Sequence, residues 1–243
     1  MSRGVFTFGS IKSDEYDIYI SGSGTHNAPA EDIERIEIPG KNGDLLIRKN
    51  RFKNIDVKYP AFTFSANEEG YAENIRKIRN ILKSQTGYQR LQDTYHPDEF
   101  RMASFTAAIE TSDTSILRAG KFDLIFNCKP QRFLVSGESS MSIASGEGIT
   151  NPTPFNSKPL IHLVGYGQVS IGSYVFTISG STSIDMYIDC DTMETYSING
   201  GIITSRNSVL VASEFPQLVP GASGVTYPGT ITKLEIVPRW WII

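Results

Sequence analysis

The segment "KFDLIFNCK" places Phe122, Leu124, Phe126 and Cys128 at every second position, with mostly polar residues between. A period of two puts those four side chains on one face of a β-strand and the others on the opposite face. The same alternation returns along the whole chain, in "VFTF", "DIYI", "IDVKYPAFTFSA", "YQRLQD", "FRMASFTAAIE", "PLIHLVGYG", "QVSIGSYVFTISG", "SIDMYIDCD", "TYSING", "SVLVAS" and "TKLEIVPRWWII". Gly, Asn, Ser and Pro separate these short runs, as turns require. In "IDVKYPAFTFSA" the alternation sets Val57 and Tyr59 on one face and Phe62 and Phe64 on the other. Pro60 in that run lacks an N–H donor and is expected at an edge or a bulge.

One stretch breaks the pattern. Tyr71, Ile75, Ile78 and Leu82 recur at helical spacing, which predicts an α-helix over about 71–84. Glu68, Glu69 and Glu73 at its start and Lys83 near its end suit the helix dipole, and Gly87 can stop it. Its Arg76, Lys77, Arg79 and Lys83 form a basic face, read as a solvated surface. The fold class is therefore mainly β with one helix, a β-rich α+β chain.

Composition divides the chain near residue 133. Residues 1–133 hold 19 of the 23 Lys and Arg and 18 of the 26 Asp and Glu. Residues 134–243 are rich in Ser, Thr and Gly, and their short strands suggest a sandwich or jelly roll. Two domains are expected, 1–133 and 134–243, with the irregular stretch Ser136 to Pro159 at their boundary. A net charge of -3 argues against a dedicated nucleic-acid binder. No signal-peptide core is evident at the N-terminus, and no apolar run approaches the roughly 20 residues of a membrane span. Cys128 and Cys190, each in an apolar alternating run, are expected to be buried free thiols.

No motif points to catalysis. His26, His96 and His162 are isolated, with no HExxH or CxxC spacing. No Walker A sequence, dinucleotide fingerprint or GxSxG elbow occurs, and no cofactor, metal or enzymatic activity is expected. The densest polar group is "SIDMYIDCD", where Asp185, Tyr187, Asp189 and Asp191 share a strand face. Such a face could take calcium or a sugar, so a carbohydrate-binding module reading a cell-surface glycan is the alternative function. An ordinary solvated face is the favoured reading.

Two features suit an interface. In "IERIEIPGKNGDLLIRKNRF", Pro39-Gly40 and Asn42-Gly43 are two turn signals where one hairpin needs one. The expectation is that Pro39-Gly40 ends the strand carrying Ile36 and Ile38. Asn42-Gly43, in a type I′ turn, would then start a new direction, so that Leu45, Ile47 and the rest of "DLLIRKNRFKN" project as an arm. A plain hairpin with a four- or five-residue loop is the competing reading. At the C-terminus, "IVPRWWII" brings Trp240 and Trp241 to a chain end that would fray unless tied down. Docking is the expected role, with subunit contact second.

These elements, in this order, resemble the distal tail proteins of siphophages and related prophage-derived tails. "VFTFGSIKSDEYDIYI" is similar to that family's first hairpin, and "IEIPGKNGDLL" to its Pro-Gly-[Arg/Lys]-Asn-Gly element. "GYQRLQDTYHPDEFRMASF" resembles the segment after its helix, and "GKFDLIFNCKPQRFLVSG" its domain-closing strand. "NPTPFNSKPLIHLVGYG", "SIDMYIDCDTMETY" and "FPQLVPGAS…LEIVPRWWII" resemble its C-terminal domain and ending. The resemblance implies a virion structural protein, assembled in the host cytoplasm and residing in the tail. It implies a homo-hexameric ring built by the N-terminal domain, joining the tail tube protein to a baseplate hub or tail-tip protein. It also implies an outward galectin-like β-sandwich that can carry receptor-binding proteins.

Overall fold

The structure, a computed structural model, describes residues 3–22, 25–65, 68–109, 111–112 and 119–243. It divides into two compact units, one running to Arg132 and including Ile243, the other running from Phe133 to Ile242.

The first unit opens with β1 (Phe6–Phe8), β2 (Ile11–Lys12) and β3 (Ile18–Ile20). A two-stranded hairpin follows, β4 (Glu31–Ile36) and β5 (Leu45–Phe52). Then come β6 (Ile55–Phe64), α1 (Glu68–Ser84), β7 (Gln89–Asp93), β8 (Glu99–Ser104), β9 (Thr111–Ser112) and β10 (Ala119–Leu134). One sheet runs β2-β1-β7-β8-β10-β6-β3. Its two ends meet, because Ile20 of β3 donates to the Gly4 carbonyl ahead of β1 at 2.9 Å. The sheet is thus curled around its own core. Phe6, Phe8, Tyr59, Leu124 and Phe126 fill that core, and the helix adds Ile75, Ile78 and Leu82. Burying each such side chain is worth about 1.5–3 kcal/mol, so the helical stripe is held by tertiary packing.

Pro60 is neither on an edge strand nor in a bulge. It pairs with Asp123 of β10, and its carbonyl accepts from Ser21 on the opposite side. The N and C=O of a strand residue point the same way. Its missing donor therefore faces the β3 side, just past the Ile20–Ala61 pair where β3 ends.

The second unit contains β11 (Met141–Ser142), β12 (Gly148–Asn151), β13 (Leu160–Gly165), β14 (Gly167–Ile171), β15 (Tyr174–Ile178) and β16 (Ile184–Asp189). It continues with β17 (Glu194–Asn199), β18 (Ile202–Ser205), β19 (Leu210–Ala212), β20 (Gly221–Thr226), β21 (Lys233–Val237) and β22 (Trp241–Ile242). Two sheets form, β11-β21-β13-β16-β17-β18 and β12-β20-β14-β15-β19. Their inward residues share one core, with Ile161, Leu163, Met186 and Leu234 from the first sheet and Val169, Phe176 and Val225 from the second. This is a β-sandwich. Cys128 and Cys190 are free and buried, and burial pushes each thiol up to about 12.

Candidate assembly surfaces

The hairpin β4–β5 forms a sheet of its own, paired to no other strand among the described residues. Ile36 pairs with Leu45, so the strand does fold straight back, across an eight-residue loop, and does not set off in a new direction. The projecting arm is the whole hairpin. Every residue from Glu34 to Arg51 is exposed, with Leu45 at 48% and Ile47 at 43%.

Both turn signals serve that one loop. Lys41 donates to the Ile38 carbonyl at 3.1 Å, and Gly40 has φ +79°, as a type II turn with Pro39 second and Gly third requires. Gly43 has φ +86°, but Asn42 is not among the positive-φ residues. A type I′ turn needs both, so the expected Asn-Gly turn is absent and Gly43 only reverses the backbone before Asp44.

The base of the arm is buttoned. Asp32 accepts from Arg51 Nε at 2.7 Å, with Lys53 Nζ at 3.7 Å. The register shifts there, Glu31 lying opposite Phe52 but Ile33 opposite Arg48, and Asn50 takes φ +52°. Such a bulge bends a hairpin. The Arg51 hydrogen bond holds the Asp32 carboxyl below the usual carboxylate range against a smaller opposing effect of burial. Just before β4, two buried arginines grip the incoming backbone. Arg132 donates to the carbonyls of Thr25 and Asn27 and pairs with Glu99 at 3.1 Å. Arg101 donates to the Asn27 carbonyl at 3.2 Å and its side-chain oxygen at 3.3 Å. Burial, then the neighbouring Arg132 charge, lowers the Arg101 pKa. Beside them His26 Nδ1 lies 3.3 Å from His96 Nε2, and His96 Nδ1 lies 3.1 Å from Asp93. Tyr59 donates to the other Asp93 oxygen at 2.8 Å; burial, then that carboxylate, raises the phenol's pKa. The arm thus leaves a rigid root.

The two tryptophans part ways from the arm residues. Trp240 is 4% exposed and belongs to the sandwich core. Its carbonyl accepts from Leu134 N–H at 2.8 Å. Trp241 stacks on Phe155 at 4.3 Å and donates from Nε1 to the Asn156 carbonyl at 2.8 Å. Trp240 and Trp241 are thus both held by residues of the second unit.

The "SIDMYIDCD" face is engaged internally. Asp185 accepts from His162 Nε2 at 2.8 Å, and Asp191 lies 3.6 Å from Lys158 Nζ. Asp189 takes both terminal nitrogens of Arg239, at 2.7 and 2.9 Å. Tyr187 stacks between His162, at 4.3 Å, and Tyr196, at 5.5 Å. A sugar needs a free aromatic face, and both faces of Tyr187 are covered. Among the described residues no group of three or more His, Cys, Asp or Glu side chains is placed to hold a metal. No helix among them is long and apolar enough to cross a membrane. Further exposed apolar side chains, invisible to motif reading, lie on the β17–β18 hairpin, where Ile198 opposes Ile203 on one face and Ile202 lies on the other.

No protein-family model matches the sequence, and no curated protein matches it. Solved structures do. The Dit (gp 19.1) protein of phage SPP1, described as a paradigm of the hub adsorption apparatus in Gram-positive infecting phages, superposes with a TM-score of 0.76 at 13% identity, covering 100% of both chains. A chain of the phage P2 baseplate in its activated conformation with Ca matches at a TM-score of 0.53 and 8% identity, over 97% of each chain. The same baseplate with Sr gives 0.51 and 8%. Across both units, this chain has the fold of SPP1 Dit.

Proposed function

We propose that this protein is a structural component of a phage tail, a distal tail adaptor whose six copies close a ring between the tail tube and the baseplate hub or tail tip. The observation that carries this reading is the full-length correspondence with a hub protein, both units included, in a chain whose sequence offers no catalytic motif. The first unit would build the ring, with the rooted arm reaching the next subunit. The galectin-like second unit would face outward and offer its surface to receptor-binding proteins. Cyclic closure requires that one surface of each subunit meet a different surface of the next, and an arm is such a surface. The work of the protein is then geometric: to hold an opening of fixed diameter and present attachment points around it.

Electron microscopy of the purified protein, alone and mixed with its tube and hub proteins, tests this. Rings with six-fold rotational symmetry are expected in at least one of these preparations. Uniform single-subunit particles in all of them would overturn the reading.

A further inference from the structure

The dipeptide Asn-Gly occurs twice in the sequence, at Asn42–Gly43 and at Asn199–Gly200. The fold holds the two very differently. Ile36 pairs with Leu45, so residues 37–44 lie outside the β4–β5 ladder, and Asn42 and Gly43 are both exposed there. Among the described residues no hydrogen bond holds the Asn42 side chain, and the Gly43 N–H has no backbone acceptor. Nothing lies within 4 Å of where a Cβ on Gly43 would stand. Asn199, in contrast, ends β17 and pairs with Ile202. Gly200 and Gly201, with φ of +56° and +81°, form the two-residue type I′ turn that closes the β17–β18 hairpin.

A side-chain amide carbon is an electrophile, and the backbone nitrogen of the next residue is the nucleophile nearest to it. Closing the ring between them needs a nitrogen free of hydrogen bonds, a backbone free to rotate at the asparagine, and no side chain in the way on the residue after it. Asn42–Gly43 meets all three. At Asn199 the strand pairing on one side and the tight turn on the other hold the backbone against that rotation.

We infer that Asn42 is a site of spontaneous covalent modification, converting to aspartyl and isoaspartyl forms through a cyclic imide with Gly43, and that the hairpin protects Asn199 from the same reaction. The Gly43 nitrogen loses its proton to hydroxide and attacks Asn42 Cγ. The N–Cγ bond forms, the Cγ–Nδ2 bond breaks, and Nδ2 leaves as ammonia after taking a proton from water. Water then opens the imide at either carbonyl. Opening at Cγ leaves an aspartyl residue. Opening at the main-chain carbonyl leaves an isoaspartyl residue, with the backbone rerouted through Cβ and Cγ. The net reaction consumes water and releases ammonia, with no change of oxidation state. Each event adds a negative charge beside Asp44 at the end of the arm, and the isoaspartyl form lengthens the loop backbone by a carbon. Ring formation is not needed for this chemistry.

The full-length protein, incubated in warm, mildly alkaline buffer made with heavy-oxygen water and then mapped by mass spectrometry after digestion in acid, tests it. Asn42 should convert and take up solvent oxygen, and an isoaspartyl methyltransferase should label the same peptide. In the folded protein Asn199 should convert about tenfold or more slowly than Asn42, because its reaction waits on local opening of the hairpin. In guanidinium the two sites should convert at similar rates. Asn42→Gln should abolish the modification at position 42 and leave the melting transition in place. Folded protein whose Asn42 stays intact over a time that converts it in guanidinium, or whose Asn199 converts as fast as Asn42, would overturn the assignment.

Discussion

Arg239 and Asp189, fifty residues apart in sequence, meet in a two-pronged ion pair, with Nη1–Oδ1 at 2.7 Å and Nη2–Oδ2 at 2.9 Å. Arg239 takes φ +55° to do so, and its N–H donates to the Gly137 carbonyl at 2.9 Å. The pair lies just before Trp240 and pins the C-terminus onto the sandwich.

The first prediction follows from that pair. Burial pushes the Asp189 carboxyl up, but the Arg239 hydrogen bonds and charge, with the N–H groups of Asp191 and Thr192, outweigh it and the net direction is down. A carboxylate depressed on folding binds fewer protons folded than unfolded. Its stability is present above the ordinary value of about 4 and is lost as pH falls through the folded value. Asp189→Asn should lower stability at neutral pH by about 1–3 kcal/mol and flatten the acid limb of the stability curve. Denaturant melts at several pH values below neutrality read both effects.

The docked tryptophan gives the second. Deleting Arg239 to Ile243 removes the ion pair and Trp240 from the core, and Trp240→Ala alone should cost about 3–5 kcal/mol. That is a large share of the margin of about 5–15 kcal/mol typical of a domain. The truncated protein should melt far lower and aggregate. Gly137→Ala should do similar local damage, because a Cβ there would meet the Trp240 backbone nitrogen at 2.4 Å. Thermal melting of the three variants checks this, and an unchanged transition would contradict the docking.

The arm glycines behave in the opposite way. Gly40 and Gly43 have open space around them, but their positive φ disfavours any side chain by about 1–2 kcal/mol. That strain falls on an exposed loop outside either core. Gly43→Val is expected to leave the melting transition almost unmoved while reducing ring formation. A collapse of melting would show that the loop supports the core.

The thiols supply the fourth. With both sulfurs buried and pushed up to about 12, neither is a thiolate at neutral pH. Both should resist alkylation in the native protein and react together with unfolding. Rapid native labelling of either would contradict their burial.

The strands and the helix were legible because their patterns are local. The face split of Ile55–Phe64 follows from alternation alone, and Ile75, Ile78 and Leu82 follow from helical spacing. The arm was legible only in part. Two turn signals announced an unusual connection, but an eight-residue loop using both could not be separated in advance from two successive turns. The partners of Asp185 and Asp189 were not legible at all. His162 lies 23 residues and Arg239 50 residues away, and only folding of the sandwich brings them to one face. The same holds for Arg101 and Arg132 at the arm's root, ordinary surface types in sequence yet buried against the 25–27 backbone. Docking of the chain end follows from "IVPRWWII" alone, but the backbone that receives Trp240, at Gly137 and Leu134, does not.

The most direct test of the account is the absolute mass of the full chain in solution by light scattering, alone and with its tube and hub proteins. The account predicts a species of six times the 26.9 kDa chain in at least one of these mixtures, lost on replacing Ile36, Leu45 and Ile47 with Ser. A monomer in every mixture would contradict it.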